Sequence, residues 1–213
     1  KVRHHPNGIT LAGFQPDQEP PPIPTIGYLA RLCPLKGLDI LVDAFLLLKG
    51  ADKIPDLRLE IAGGMTTEDE PFVDEQRRKL TQAGLSDCSS IRPNINRDEK
   101  LRFLPKLSVF SVPARYPEAF GLYVVEALAA GVPVVLPESG AFPELVEQTK
   151  GGCIYQSNEP IALADALESL LRNPEQAKKI GLTGHEIVSK EFANEQLASR
   201  LLDNVFTPIP EQL

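Results

Sequence analysis

From Thr25 onward the chain keeps a strict rhythm: short apolar runs of four to eight residues alternate with longer stretches of helical spacing. The short runs are "TIGYLA" from Thr25, "LRLEIAGG" from Leu57, "SIRPN" from Ser90, "LSVFSVPA" from Leu107, "VPVVLP" from Val132 and "GGCIYQ" from Gly151. Between them stand "LDILVDAFLLLKG", a helix expected to stop at Gly50, and "PFVDEQRRKLTQAG", a polar-faced helix with Gly84 beyond its C-terminus. "RDEKLRFL", a segment from about Gly121 to Ala130, and "AFPELVE" complete the helical set. Apolar runs this short and this uniform are strands buried on both faces, and strand–helix alternation requires a parallel sheet covered by helices. The expectation is a doubly wound α/β domain, Rossmann-like in layout, with C-terminal helices.

Beyond Asn158 the pattern is helical alone. Ile161, Leu163, Ala164, Leu167, Leu170 and Leu171 recur at helical spacing, and two further helices follow before the tail "TPIPEQL". At the other end, "PNG" (Pro6–Gly8) is a turn signal and "QPDQEPPPIP" (Gln15–Pro24) a stiff, extended segment. The chain therefore divides into an arm (1–24), an α/β domain (25–206) and a tail (207–213).

Composition removes several functions. A net charge of −7 argues against a nucleic-acid binder, which needs a basic surface. No apolar run is long enough to span a bilayer, and the first residues do not form a signal peptide. Cys33, Cys88 and Cys153 are scattered and odd in number, as free thiols in a reducing, cytoplasmic setting would be. His4 and His5 have no third ligand near them in sequence, so no metal site is expected.

In an open parallel sheet, ligands bind beyond the carboxyl ends of the strands. Three segments there carry chemistry. In "ARLCPLKG", Arg31 and Lys36 follow the first strand and precede a helix, an arrangement that suits a diphosphate; the plain alternative is a solvated loop. The pair Gly63-Gly64 ends the second strand, where glycine permits either close approach of a ligand or merely a tight turn. A G-x-G-x-x-G run after the first strand is absent, which argues against a dinucleotide domain. In "YPEAFGLYVVEALAAGVPVV", Glu118 lies in a loop just before a helix N-terminus, and Glu126 lies among Leu122, Val124, Val125, Ala127 and Leu128. A carboxylate among apolar residues requires a partner. Either Glu126 binds a ligand or it pairs with a nearby backbone group or lysine. A glycosidase pair is disfavoured, because eight helical residues would separate the carboxylates by about 12 Å.

Taken in order, "RLCPLKG", "EIAGG", "EAFGLYVVE", "ALAAGVPVV" and "SGAFPELV" resemble the C-terminal half of retaining GT-B glycosyltransferases, specifically glycosyltransferase family 4, also called glycosyl transferases group 1. The resemblance runs from about Pro6 to Phe206. It implies a donor-binding domain that takes a nucleotide sugar of unspecified base. Arg31 and Lys36 would hold the diphosphate, Glu126 the ribose hydroxyls, and Glu118 the donor sugar as the catalytic carboxylate. Gly63 and the backbone N–H groups of Phe120, Gly121 and Leu122 would line the donor site, with Pro93 to Ile95 beside the base. It also implies metal-independent transfer, in keeping with the lack of an Asp-x-Asp motif, and an acceptor-binding N-terminal domain outside this chain. One departure is Ser139-Gly140-Ala141, where the family commonly has a glycine pair. The alternative is a non-catalytic nucleotide-sugar-binding or regulatory module of the same fold.

Overall fold

The computed structural model describes residues 7–206; His4, His5, the start of the Pro6–Gly8 turn and the 207–213 tail fall outside them. Six parallel strands form one sheet in the order β3-β2-β1-β4-β5-β6. They are β1 (Thr25–Leu29), β2 (Arg58–Gly63), β3 (Ser89–Pro93), β4 (Val109–Phe110), β5 (Val134–Pro137) and β6 (Gly152–Tyr155). The connecting helices are α1 (Leu38–Ala51), α2 (Glu70–Gln82), α3 (Arg97–Phe103), α4 (Leu122–Ala129) and α5 (Phe142–Thr149). Three more, α6 (Pro160–Leu171), α7 (Pro174–Glu191) and α8 (Asn194–Phe206), close the order. This is the doubly wound, Rossmann-like arrangement that the alternating pattern calls for.

The central strands β1, β4 and β5 are buried along their whole length, as a sheet with helices on both faces demands. Leu38, Leu41, Val42 and Phe45 give α1 its buried face. That helix runs through Gly50 to Ala51 and ends on Asp52 in the left-handed region at φ 49°, so the expected stop at Gly50 lies one residue early. "LSVFSVPA" supplies only two ladder residues: Ser111 turns its hydroxyl onto Val135 O at 2.7 Å, and beyond it the chain leaves the sheet as a loop. Helix α3 starts where it does because Asn96 and Glu99 form a reciprocal capping box. Residues 7–24 carry no strand or helix, yet Ile9 and Phe14 are buried, and Ile9 bonds to Phe192 O at 2.9 Å.

Candidate functional site

The order 3-2-1-4-5-6 reverses direction between β1 and β4, and the crevice at such a switch point is where an open α/β sheet takes its ligand. Two loops diverge there. The β1–α1 loop carries Arg31 and, in a 3-10 turn at Pro34–Lys36, Lys36. The β4–α4 loop carries Glu118. The loops touch so closely that Gly37 admits no side chain: a Cβ there would lie 1.9 Å from Pro113 O, and its φ is +68°. Tyr28, buried in β1, donates its hydroxyl to Arg31 O at 3.0 Å and so shapes the first loop from below.

Lys36 and Glu118 meet across this contact. Lys36 Nζ lies 2.5 Å from Glu118 Oε2, and each side chain is 14% exposed. Tyr123, in the first turn of α4, donates its hydroxyl to the same Oε2 at 2.6 Å. The Lys36 ammonium also stands 4.8 Å from the Tyr116 ring centre and 5.0 Å from that of Tyr123, within cation–π range. Burial works against the charge on Lys36, but bonding to Glu118 and to Tyr116 outweighs it and raises the ammonium's pKa. Burial and then the Glu118 carboxylate push the Tyr123 phenol well above its ordinary range. The site thus presents a cation and a carboxylate side by side.

Helix α4 begins immediately beyond. Gly121 caps it at φ +85°, and Val124 N and Val125 N bond back to Gly121 O. The N–H groups of Phe120, Gly121, Leu122 and Tyr123 have no backbone partner among the described residues, so α4 directs free donors and its positive dipole end at the crevice. The departure at Ser139-Gly140-Ala141 packs onto the Glu118 backbone: Ala141 N bonds Glu118 O at 2.8 Å, and a Cβ on Gly140 would lie 2.3 Å from Glu118 N.

A second cleft, of about 600 Å³, opens at the ends of β1, β2 and β3 and is lined by Leu29, Gly63, Gly64, Asn94, Ile95, Asn96, Arg97, Lys100 and Glu126. Glu126 is not buried as its apolar neighbours suggest. Its side chain is 19% exposed, stands on the cleft wall and pairs with Lys100 of α3. The alternative of a lysine partner is therefore the one the structure shows. Gly63 is needed for backbone reasons, since φ is +150° and a Cβ would meet Ala30 O at 1.7 Å, whereas a Cβ on Gly64 would meet nothing within 4 Å. Asn94 adopts φ +56° and clamps the floor, accepting from Met65 N at 2.9 Å and donating to Met65 O at 3.1 Å.

Arg31 is half exposed and turned to Asp69, with Nε–Oδ2 at 3.2 Å and Nη2–Oδ1 at 3.3 Å. Asp69 itself is buried, and the Thr66 backbone N–H, ahead of Thr66 hydroxyl and Arg31, holds its carboxyl below the ordinary range. The structure thus brings Lys36, Glu118 and the α4 N-terminus together and places Glu126 and Gly63 on the adjoining cleft. Arg31 and Lys36 share no partner; each is matched to a different carboxylate. Sequence reasoning missed Asp69, Lys100 and Tyr123. Only Tyr123 carried a signal, as a polar-tipped ring in the first turn of the helix after Glu118.

The family model for glycosyl transferases group 1 matches residues 14–186. The chain belongs to that family. It is 31% identical over 186 residues to the GDP-mannose-dependent α-(1-6)-phosphatidylinositol monomannoside mannosyltransferase of Mycobacterium tuberculosis, covering 84% of this chain and 46% of that protein. The chain therefore spans about half the length of the curated relatives it matches. Among solved structures it is similar to Anabaena HepE in complex with UDP and glucose, at TM-score 0.80 and 20% identity, covering 97% of this chain and 57% of that one. It is also similar to the C-terminal domain of a glycosyl transferase group 1 family protein (LpcC) from Francisella tularensis, at TM-score 0.75 and 24% identity, covering 88% of this chain and 100% of that one. Among the described residues, no helix is long and apolar enough to cross a membrane.

Proposed function

We propose that the chain is the donor-binding half of a retaining glycosyltransferase, taking a nucleotide sugar in the crevice between the β1–α1 and β4–α4 loops. The observation that carries this reading is the Lys36–Glu118 contact beside the free N–H groups of α4, with Glu126 waiting on the adjoining cleft. The diphosphate lies against Lys36, the α4 N-terminus and the unused N–H groups of Arg31, which together offset the negative charge on the departing diphosphate and assign that work to protein groups rather than a metal ion. Lys36 then shares its protons between Glu118 and phosphate. The ribose diol donates to Glu126, replacing part of its bond with Lys100, and the base rests against the Asn94 turn. Glu118 faces the sugar, where a carboxylate matters most as positive charge develops at the anomeric carbon. Acceptor binding and closure over the donor belong to the remainder of a longer protein, and transfer requires both halves. HepE, which shares this fold, is solved with UDP and with UDP-glucose, and that supports a nucleotide sugar as the ligand class.

A calorimetric screen of the chain against UDP, GDP and ADP, and against a hexose conjugate of each, tests the reading. One base should bind with a sub-millimolar dissociation constant, with and without its sugar, and EDTA should leave that affinity unchanged. Absence of binding for every probe, or binding abolished by EDTA, would contradict it.

A further inference from the structure

Outside the residues assigned to the donor, one side chain ties the two loops of the site together. Arg115 lies in the β4–α4 loop, three residues before Glu118. Its backbone N–H bonds Leu35 O at 2.9 Å, and its Nη1 bonds Pro34 O at 2.6 Å. The same guanidinium closes a two-pronged fork on Asp39, with Nη1–Oδ1 at 2.7 Å and Nη2–Oδ2 at 2.6 Å. Pro34 and Leu35 immediately precede Lys36, and Asp39 stands in the first turn of α1 just after it. Arg115 therefore grips the Lys36 turn on both sides.

From behind, Asn158 holds the Arg115 loop: its Nδ2 donates to Pro113 O at 3.2 Å and to Ala114 O at 3.0 Å, while Tyr155 donates to Asn158 Oδ1 at 2.7 Å. An exposed ion pair of two long side chains contributes little, because both remain mobile. This contact differs: the guanidinium also bonds the Pro34 carbonyl of the loop, its fork fixes an orientation as well as a distance, and Asp39 is anchored in a helix. Burial alone would raise the Asp39 carboxyl's pKa, yet bonding to Arg115 outweighs it and the carboxyl stays below its ordinary range.

We propose that Arg115 is a positioning residue that sets the β1–α1 loop against the β4–α4 loop, and so fixes Lys36 relative to Glu118. The proposal rests on the donor-site reading above. Lys36 ends a flexible stem and can follow a diphosphate without help. Glu118 must hold its place against a sugar whose position the diphosphate dictates, and that needs the two loops in register.

The test compares the chain with Arg115→Ala, Arg115→Lys and Asp39→Asn by calorimetry, using UDP and UDP-glucose or GDP and GDP-mannose, whichever pair the unaltered chain binds. Arg115→Ala should weaken the sugar-bearing probe at least about tenfold and the bare diphosphate no more than about threefold. Arg115→Lys, which keeps a donor but not the fork, should recover part of the difference, and Asp39→Asn should show a smaller version of it. Equal losses on both probes, or none, would overturn the proposal. Amide hydrogen exchange supplies a readout that needs no ligand. Exchange at Lys36 and Gly37, whose N–H groups bond Cys33 O and Pro34 O, and at position 115, whose N–H bonds Leu35 O, should rise in Arg115→Ala while β1 and β2 stay protected, and unchanged exchange would overturn the proposal. If no probe binds the unaltered chain, the donor-site reading fails, and exchange alone still decides whether Arg115 braces the loops. Should Arg115→Ala fail to fold, Arg115→Lys and Asp39→Asn carry the same comparisons.

Discussion

Lys36 and Glu118, 82 positions apart in the chain, hold each other at 2.5 Å across the mouth of the sheet's switch point. A cation suited to a phosphate and a carboxylate suited to a sugar thus stand side by side, each held by the other. The Tyr123 hydroxyl, 2.6 Å from the same carboxylate oxygen, fixes Glu118 from a second direction. Such pre-arrangement lets charge stabilisation act without reorganisation during a reaction.

The first prediction concerns that pair. Each partner is 14% exposed, so removing one leaves the other short of compensation. Glu118→Ala and Lys36→Met should each lower stability by about 1–3 kcal/mol. The double variant should cost less than the sum, because it leaves no stranded charge. Urea unfolding of the three variants measures the coupling, and strict additivity would mean that the contact contributes nothing.

The two glycines after β2 should respond in opposite ways. Gly63→Ala forces a side chain into φ +150° and against Ala30 O at 1.7 Å, and should cost about 2–4 kcal/mol or prevent folding. Gly64→Ala has open space and should leave stability within about 0.5 kcal/mol. It should nonetheless weaken nucleotide binding, since the added methyl stands at the cleft. Thermal melts with a parallel titration separate the two effects. Equal destabilisation by both variants would refute this division.

Acid should find the two aspartates of the site. Asp39 and Asp69 have folded-state pKa values below their ordinary ones. Groups shifted this way add stability that is complete above the ordinary carboxylate range, about 4, and is lost as pH falls through the lower folded values. Asp69→Asn and Asp39→Asn should therefore be less stable than the unaltered chain at pH 6. The gap should narrow progressively below about pH 4. Urea midpoints between pH 6 and 3 test this, and a gap independent of pH would exclude the linkage.

Lys178 offers a change in the other direction. It is 7% exposed, has no hydrogen-bond partner among the described residues, and burial lowers its pKa, with Asp17 offsetting only part of the effect. A base shifted downward is a cost to folding at neutral pH, and the cost vanishes as pH rises past the ordinary lysine value. Lys178→Met should stabilise the protein by about 1 kcal/mol at pH 7, with the advantage shrinking above about pH 10. A loss of stability at pH 7 would show that the amine has a partner after all.

Much of the fold was legible because burial on both faces writes itself into composition. The runs at Thr25 and Val132 are apolar without alternation, and each became a strand buried along its whole length. The shortness of β4 was not legible, since "LSVFSVPA" remains apolar beyond Ser111, where the chain leaves the sheet as a loop. Gly50 misled because packing on α1's buried face carried the helix past it to Asp52. Within the site, Lys36, Glu118 and Glu126 could be read because loop ends and helix starts mark the sheet's ligand edge. Lys100, the partner of Glu126, and Asp69, the partner of Arg31, could not, because those contacts join separate loops and helices and leave no spacing in the sequence.

The central claim is that Glu126 and Glu118 divide a nucleotide sugar between them, and four affinities test it most directly. Glu126→Gln and Glu118→Gln are each titrated with the bare nucleoside diphosphate and with the matching nucleotide sugar, and compared with the unaltered chain. Glu126→Gln should weaken both ligands alike, by about 1–3 kcal/mol, because the amide keeps one acceptor but loses the charge. Glu118→Gln should leave the bare diphosphate nearly unchanged and weaken only the sugar-bearing ligand. Equal losses for both variants with the bare diphosphate would contradict the division.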